Sequence, residues 1–107
     1  MSDIPGSEVP GPDACQTMRD VRAGVDSVDM RLVALFAERF AYMRAAARIK
    51  PERGHVRDEP RKAQVIANAG AEAERLALPA DAIRDIWDRL VEASIAYEMA
   101  EFDRLKG

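Results

Sequence analysis

The chain has a single cysteine, Cys15, and a single histidine, His55. One cysteine excludes an internal disulfide, and together the two leave no ligand set for a structural zinc. Basic residues do not dominate: 16 Lys and Arg stand against 19 Asp and Glu, interspersed, for a net charge of −3. Without a basic stripe, neither general nucleic-acid binding nor membrane-surface binding is expected. No apolar run approaches the ~20 residues of a membrane span. Nothing near Met1 has the basic-then-apolar layout of a signal peptide, so the expected compartment is the cytosol. There is no period-two strand pattern, no internal repeat and no glycine-rich phosphate loop. Aromatics are scarce, and Ala, Leu, Val, Arg and Glu dominate, a composition that favours helix. The 107 residues amount to one domain's worth of material.

What is present is helical periodicity. Residues 1–14 contain three prolines and two glycines, and residues 1–15 read as a disordered tail before a domain at 16–107. From about Gln16 to Lys50, Val21, Val25, Val28, Leu32, Leu35, Arg39, Tyr42, Ala46 and Ile49 recur in alternating steps of four and three. That predicts a long helix whose stripe faces another helix, ended by Pro51. Pro-Glu-Arg-Gly-His reads as a loop. A second helix is expected from about Asp58 to Leu76, with Pro60 tolerated in its first turn, and a third over roughly 80–105. The third is striped by Ile83, Trp87, Leu90, Val91, Ile95, Phe102 and Leu105. A first helix of about 34 residues extends ~50 Å. A globule of this size is only ~35 Å across. The stripe nevertheless continues to Ile49, so the simplest cover for the excess is a second copy of the chain.

Three polar residues interrupt these stripes. Arg39 takes a core slot between Leu35 and Tyr42, and a buried guanidinium needs an acid or an anionic ligand. An intersubunit salt bridge is one reading; an anion site is the other. Ser94 and Glu98, one turn apart, lie along the third stripe. A buried carboxyl needs a cation or must stay protonated. Glu98 paired with Arg39 would involve no chemistry, whereas polar groups in two facing stripes also describe a ligand-filled cavity between helices. Arg22 flanks the first stripe, and Lys50 follows Arg39 by eleven residues, close to the same face. Val56-Arg57-Asp58-Glu59-Pro60-Arg61-Lys62 reads generically as a solvated charge run. His55 and Cys15 have no partner at ligand or nucleophile spacing.

The string Met18-Arg-Asp-Val-Arg-Ala-Gly-Val-Asp-Ser-Val-Asp-Met-Arg-Leu-Val-Ala-Leu-Phe-Ala-Glu-Arg39, continuing through Ala45-Ala-Ala-Arg-Ile-Lys50, resembles the first helix of the AroQ-type chorismate mutases. Val56-Arg-Asp-x-x-Arg61 and Ser94-Ile-Ala-Tyr-Glu98 fit the same template, and the likeness covers about residues 17–104. It implies an all-α, three-helix chain in an intertwined homodimer with two equivalent sites. It also implies that Arg22 reaches into the partner's site, while Arg39, Lys50 and Arg61 are the cations of a chain's own site. Asp58 falls where the family contacts the substrate's ring hydroxyl, Ser94 matches a polar substrate contact, and Glu98 sits beside the ether oxygen. Arg39, Lys50 and Glu98 are thus the expected catalytic residues, and Arg22, Asp58, Arg61 and Ser94 the expected substrate-binding ones. Chorismate-to-prephenate rearrangement is pericyclic and needs no cofactor, metal or nucleophile. It needs a dicarboxylate held in its reactive shape and charge stabilised on the breaking ether bond. One departure stands out: these mutases often carry Glu just after the second-helix arginine, and this chain has Lys62. Isochorismate-pyruvate lyase and a mutase of 4-amino-4-deoxychorismate are the alternatives within the likeness. A non-catalytic helical dimerisation module, its charged residues merely salt-bridged, is the alternative outside it.

Overall fold

The computed structural model describes residues 9–107. Three helices, α1 (Met18–Ile49), α2 (Glu59–Arg75) and α3 (Ala80–Lys106), account for most of them, with 3-10 turns at Pro12–Ala14 and Arg53–His55. No strand occurs among the described residues. The all-helical, three-helix organisation expected from periodicity is what forms.

The helix ends follow from local chemistry. Thr17 Oγ1 accepts the Asp20 N–H at 3.1 Å, and the Asp20 carboxylate accepts the Gln16 N–H at 3.0 Å. The first bond satisfies a donor that the start of a helix leaves unpaired, and the second ties the residue before the cap back onto the first turn. α1 stops at Ile49, two residues ahead of Pro51. Asp58 caps α2 by accepting the Arg61 N–H at 3.0 Å, and Pro60 occupies the first turn, where no N–H is required. At the other end Leu78 N–H bonds Ala73 O at 2.8 Å and Ala77 N–H bonds Glu74 O at 3.1 Å. Ala77 lies at φ 59°, the left-handed closure usually given to glycine.

By contacts the chain divides into one unit ending at Arg39 and another running Phe40–Gly107, with the boundary inside α1. In the first unit, residues 9–15 belong to the stretch expected to be disordered, yet Pro12–Ala14 form a 3-10 turn. Proline presets the backbone angle such a turn needs. Residues 1–8 of the expected tail lie outside the described residues. A groove of about 410 Å³ in this unit is lined by Val9, Pro12, Cys15, Val21, Val25 and Val28 among others. Along the α1 stripe, Val21, Val25, Val28, Leu32, Leu35, Tyr42 and Ile49 are 37 to 70 % exposed within this single chain. Ala47 is the buried residue of α1.

The second unit holds the core. Ala47, Val56, Val91, Ile95 and Phe102 form a buried cluster, with Val65 and Met99 packed against it. α2 and α3 pair as an antiparallel hairpin: Lys62 meets Asp88 and Glu92, whereas Glu74, further along α2, meets Arg84, earlier on α3. The Arg84 guanidinium crosses α2 at Gly70, where an added Cβ would collide with Arg84 Nε. On the other face, Phe40 and Tyr97 pack edge to face at 4.9 Å, and Arg44 donates to the Tyr97 hydroxyl at 2.8 Å. These contacts fix the elements that carry the polar residues of interest.

Candidate active site

Lys50 and Glu98 meet in the second unit. Lys50 directly follows α1, its N–H still bonded to Ala46 O at 2.9 Å. Glu98 projects from the buried stripe of α3, its side chain only 5 % exposed, and Lys50 Nζ donates to its carboxylate at 2.6 Å. The Lys50 side chain is 29 % exposed, so the pair is more open on the lysine side. Lys50 compensates the buried carboxylate. One turn before Glu98, buried Ser94 donates its hydroxyl to Leu90 O at 2.7 Å. A helix stripe that is otherwise apolar therefore carries two polar groups one turn apart.

A second group of charges lies at the start of α2. Asp58 spends one oxygen on the helix cap, and Arg61 reaches one turn along α2 to Gln64 at 2.7 Å. On either side of these two, Arg57 and Lys62 turn to α3. Arg57 binds Glu92 through both terminal nitrogens, at 2.8 and 3.1 Å, and also Glu59 at 2.8 Å. Lys62 Nζ lies 2.6 Å from Glu92 and 3.1 Å from Asp88. The hydrogen bonds from Arg57 and then Lys62 hold the Glu92 carboxyl at about 2, well below the usual carboxylate range. The same bonds raise Arg57 and Lys62 above their ordinary values, so all three stay charged near neutrality.

A family model described as chorismate mutase type II matches residues 21–99. The chain belongs to the chorismate mutase type II family. Among curated relatives, T-protein of Haemophilus influenzae is 30% identical over 84 residues, which is 78% of this chain and 22% of that protein. The chain thus spans about a fifth of T-protein's length. Isochorismate pyruvate lyase of Pseudomonas aeruginosa is 23% identical over 96 residues, covering 90% of this chain and 95% of that one. No solved structure matches the chain. Membership of the chorismate mutase type II family supports an enzyme of the chorismate mutase type.

The sequence-expected residues of this chorismate mutase type II chain are divided between the two units. Arg22 and Arg39 lie on α1 in the first unit, Arg22 exposed and Arg39 half-buried. Lys50, Asp58, Arg61, Ser94 and Glu98 lie in the second. Within that unit Lys50 and Glu98 meet side chain to side chain, and Asp58 and Arg61 meet through the helix cap. Sequence reasoning missed Arg57 and Glu92, treating the 56–62 run as solvated. The available signal was Asp88 and Glu92, an i,i+4 acid pair on one face of the third helix, complementary to that basic run. It also missed Val56, which is buried within the charged run and anchors it. No helix among the described residues is long and apolar enough to cross a membrane.

Proposed function

We propose that the chain is a chorismate mutase, converting chorismate to prephenate as an intertwined homodimer without a cofactor. The observation that carries the reading is the Lys50–Glu98 pair, set in an apolar stripe of a chain that belongs to this family. The exposed stripe of α1 supports the dimer, because a contiguous apolar face of this extent calls for a cover.

In this reading Arg39, Lys50 and Arg61, with Arg22 from the partner, supply the positive charge that holds a doubly negative substrate in its compact shape. Arginine is suited to this because its fork matches carboxylate geometry. Asp58 takes the ring hydroxyl, and Ser94 adds a polar contact. Negative charge develops on the ether oxygen as its bond to carbon breaks, and Lys50 stabilises it. A protonated Glu98 donates to the same oxygen. An ionised Glu98 repels that charge and draws on Lys50, whose Nζ lies 2.6 Å from its carboxyl oxygen.

A second reading, isochorismate-pyruvate lyase, draws on one specific observation: the Pseudomonas aeruginosa lyase aligns over nearly all of both chains. The Val56–Arg61 run and Glu98 favour the mutase. Incubating the protein with chorismate, isochorismate and 4-amino-4-deoxychorismate, and following loss of each with formation of prephenate and salicylate, separates these readings. Prephenate from chorismate is the expected result; salicylate from isochorismate would replace the mutase with the lyase. No turnover of any of the three would leave a helical dimerisation module. Arg39→Ala is expected to lower kcat/KM by about 10²–10³-fold while the protein stays folded. Equal activity would defeat the site assignment.

A further inference from the structure

We infer that Glu92 is a positioning residue, whose carboxylate holds the substrate-reading edge at the start of α2 against α3. The inference rests on the proposed function, in which Asp58 and Arg61 contact substrate from that edge.

The geometry is specific. Asp58 and Arg61 are bracketed in sequence by Arg57 and Lys62, and both bracketing side chains end on the same carboxylate. Glu92 takes a two-pronged bond from Arg57 and a 2.6 Å bond from Lys62, while Asp88, one turn earlier on α3, holds Lys62 from the other side at 3.1 Å. Asp58 uses a carboxylate oxygen to cap α2, and Arg61 uses a guanidinium nitrogen on Gln64 of the same helix. These bonds run along α2, and Glu92 is the one carboxylate that joins both residues beside them to the helix bearing Ser94 and Glu98, with Asp88 a second hold on Lys62 alone. A bidentate guanidinium–carboxylate contact fixes direction as well as distance. An error of 1 Å in the edge would misplace both substrate contacts together.

This also gives Lys62 a place. Its ammonium is engaged by two carboxylates of α3, with the side chain 19 % exposed. Lys62 therefore acts as a tether between helices rather than as a group that reads the ring substituent.

The test is a double-mutant cycle on the full chain, with kcat and KM measured separately on chorismate, or on isochorismate where that is the compound consumed. Glu92→Gln keeps the shape and removes the charge. It is expected to raise KM at least fivefold with kcat changed less, and Glu92→Asp is expected to recover part of the loss. In an Arg61→Ala background the Glu92→Gln effect should shrink to under twofold, because the edge it positions has already lost its contact. A full-size Glu92→Gln effect in that background, or an unchanged KM beside a strong Arg61→Ala defect, overturns the inference and leaves the proposed function standing. An Arg61→Ala protein with wild-type kinetics overturns the reading of the edge, and the inference with it. If Glu92→Gln fails to fold, Arg57→Gln removes the same bidentate contact from an exposed side chain and carries the same expectations.

Discussion

α1 and α3 repeat apolar residues at the same helical spacing, but within one chain they are covered to very different degrees. In α3, Leu90, Val91, Ile95 and Phe102 are 7 to 9 % exposed. In α1, Leu35 is 60 % and Ile49 70 % exposed. Periodicity identifies the face that must leave water, and it does so equally well for both helices. What lies against that face is a tertiary or quaternary matter. The difference also bears on chemistry. Glu98 in the covered stripe has a cation within 2.6 Å, because a carboxylate at such a depth is not tolerated alone.

The largest effect that tests this contrast is a pair of truncations. Ile95→Ala should destabilise by about 2–4 kcal/mol in urea unfolding, through lost transfer energy and the cavity left behind. Leu35→Ala, at a position with that exposure, would change stability by less than about 0.5 kcal/mol if the chain worked alone. The proposed dimer instead makes Leu35→Ala cost about 2 kcal/mol or more, with an unfolding midpoint that depends on protein concentration. A neutral Leu35→Ala at every concentration would break the dimer proposal.

Next comes turnover at Glu98. Glu98→Gln keeps a donor for the ether oxygen and should retain most of kcat/KM, whereas Glu98→Ala should lower it by about 10²-fold. Equal activity of all three proteins would remove Glu98 from the chemistry.

A smaller effect belongs to stability in acid. The folded value of Glu92 is about 2, depressed from an ordinary carboxylate value of 4.5. The unfolded chain therefore takes up the proton first, and the contribution of Glu92 is complete above about pH 4.5. It is lost as pH falls from there through about 2. Thermal midpoints measured across that window should fall less steeply in Glu92→Gln than in the parent. Parallel curves would mean that the Arg57 and Lys62 contacts contribute nothing to folding.

The smallest expected change is a gain. Ala77 closes α2 at φ 59°, where a Cβ crowds the backbone. Ala77→Gly should raise stability by about 0.5–1 kcal/mol, a net of relieved strain and added chain entropy, read as an upward shift in Tm. A lower Tm would show that the Ala77 methyl packs favourably there.

Much of the fold was legible because helix signals are local. Pro51 and Pro60, Asp58 ahead of a proline, and the steps of three and four placed the helix bounds within a residue or two of those observed. The burial of Ser94 and Glu98 could be read from their register with Val91, Ile95 and Phe102. The 3-10 turns could not, since a single turn has no period. Nor could Val56 as a core residue, hidden among charges, and the Asp88/Glu92 acid pair signalled a basic partner without saying that Arg57 and Lys62 share Glu92. Those depend on which side chains two helices bring opposite each other, and residues 57 and 92 are far apart in sequence. That Glu98 needs a cation was legible from its place in an apolar stripe, but which of two cations on nearly the same helix face, Arg39 or Lys50, lies within 2.6 Å was not.

The connection between α1 and α2 is secured three times within five residues. Arg53 grips Asp103 at 2.8 and 3.2 Å, Val56 is sunk in the core, and Arg57 grips Glu92. A connector with so little slack has few conformations left to lose when a ligand arrives. Its amide hydrogens should exchange slowly for a surface loop, and a ligand's entry and exit would then rely on motion elsewhere in the molecule.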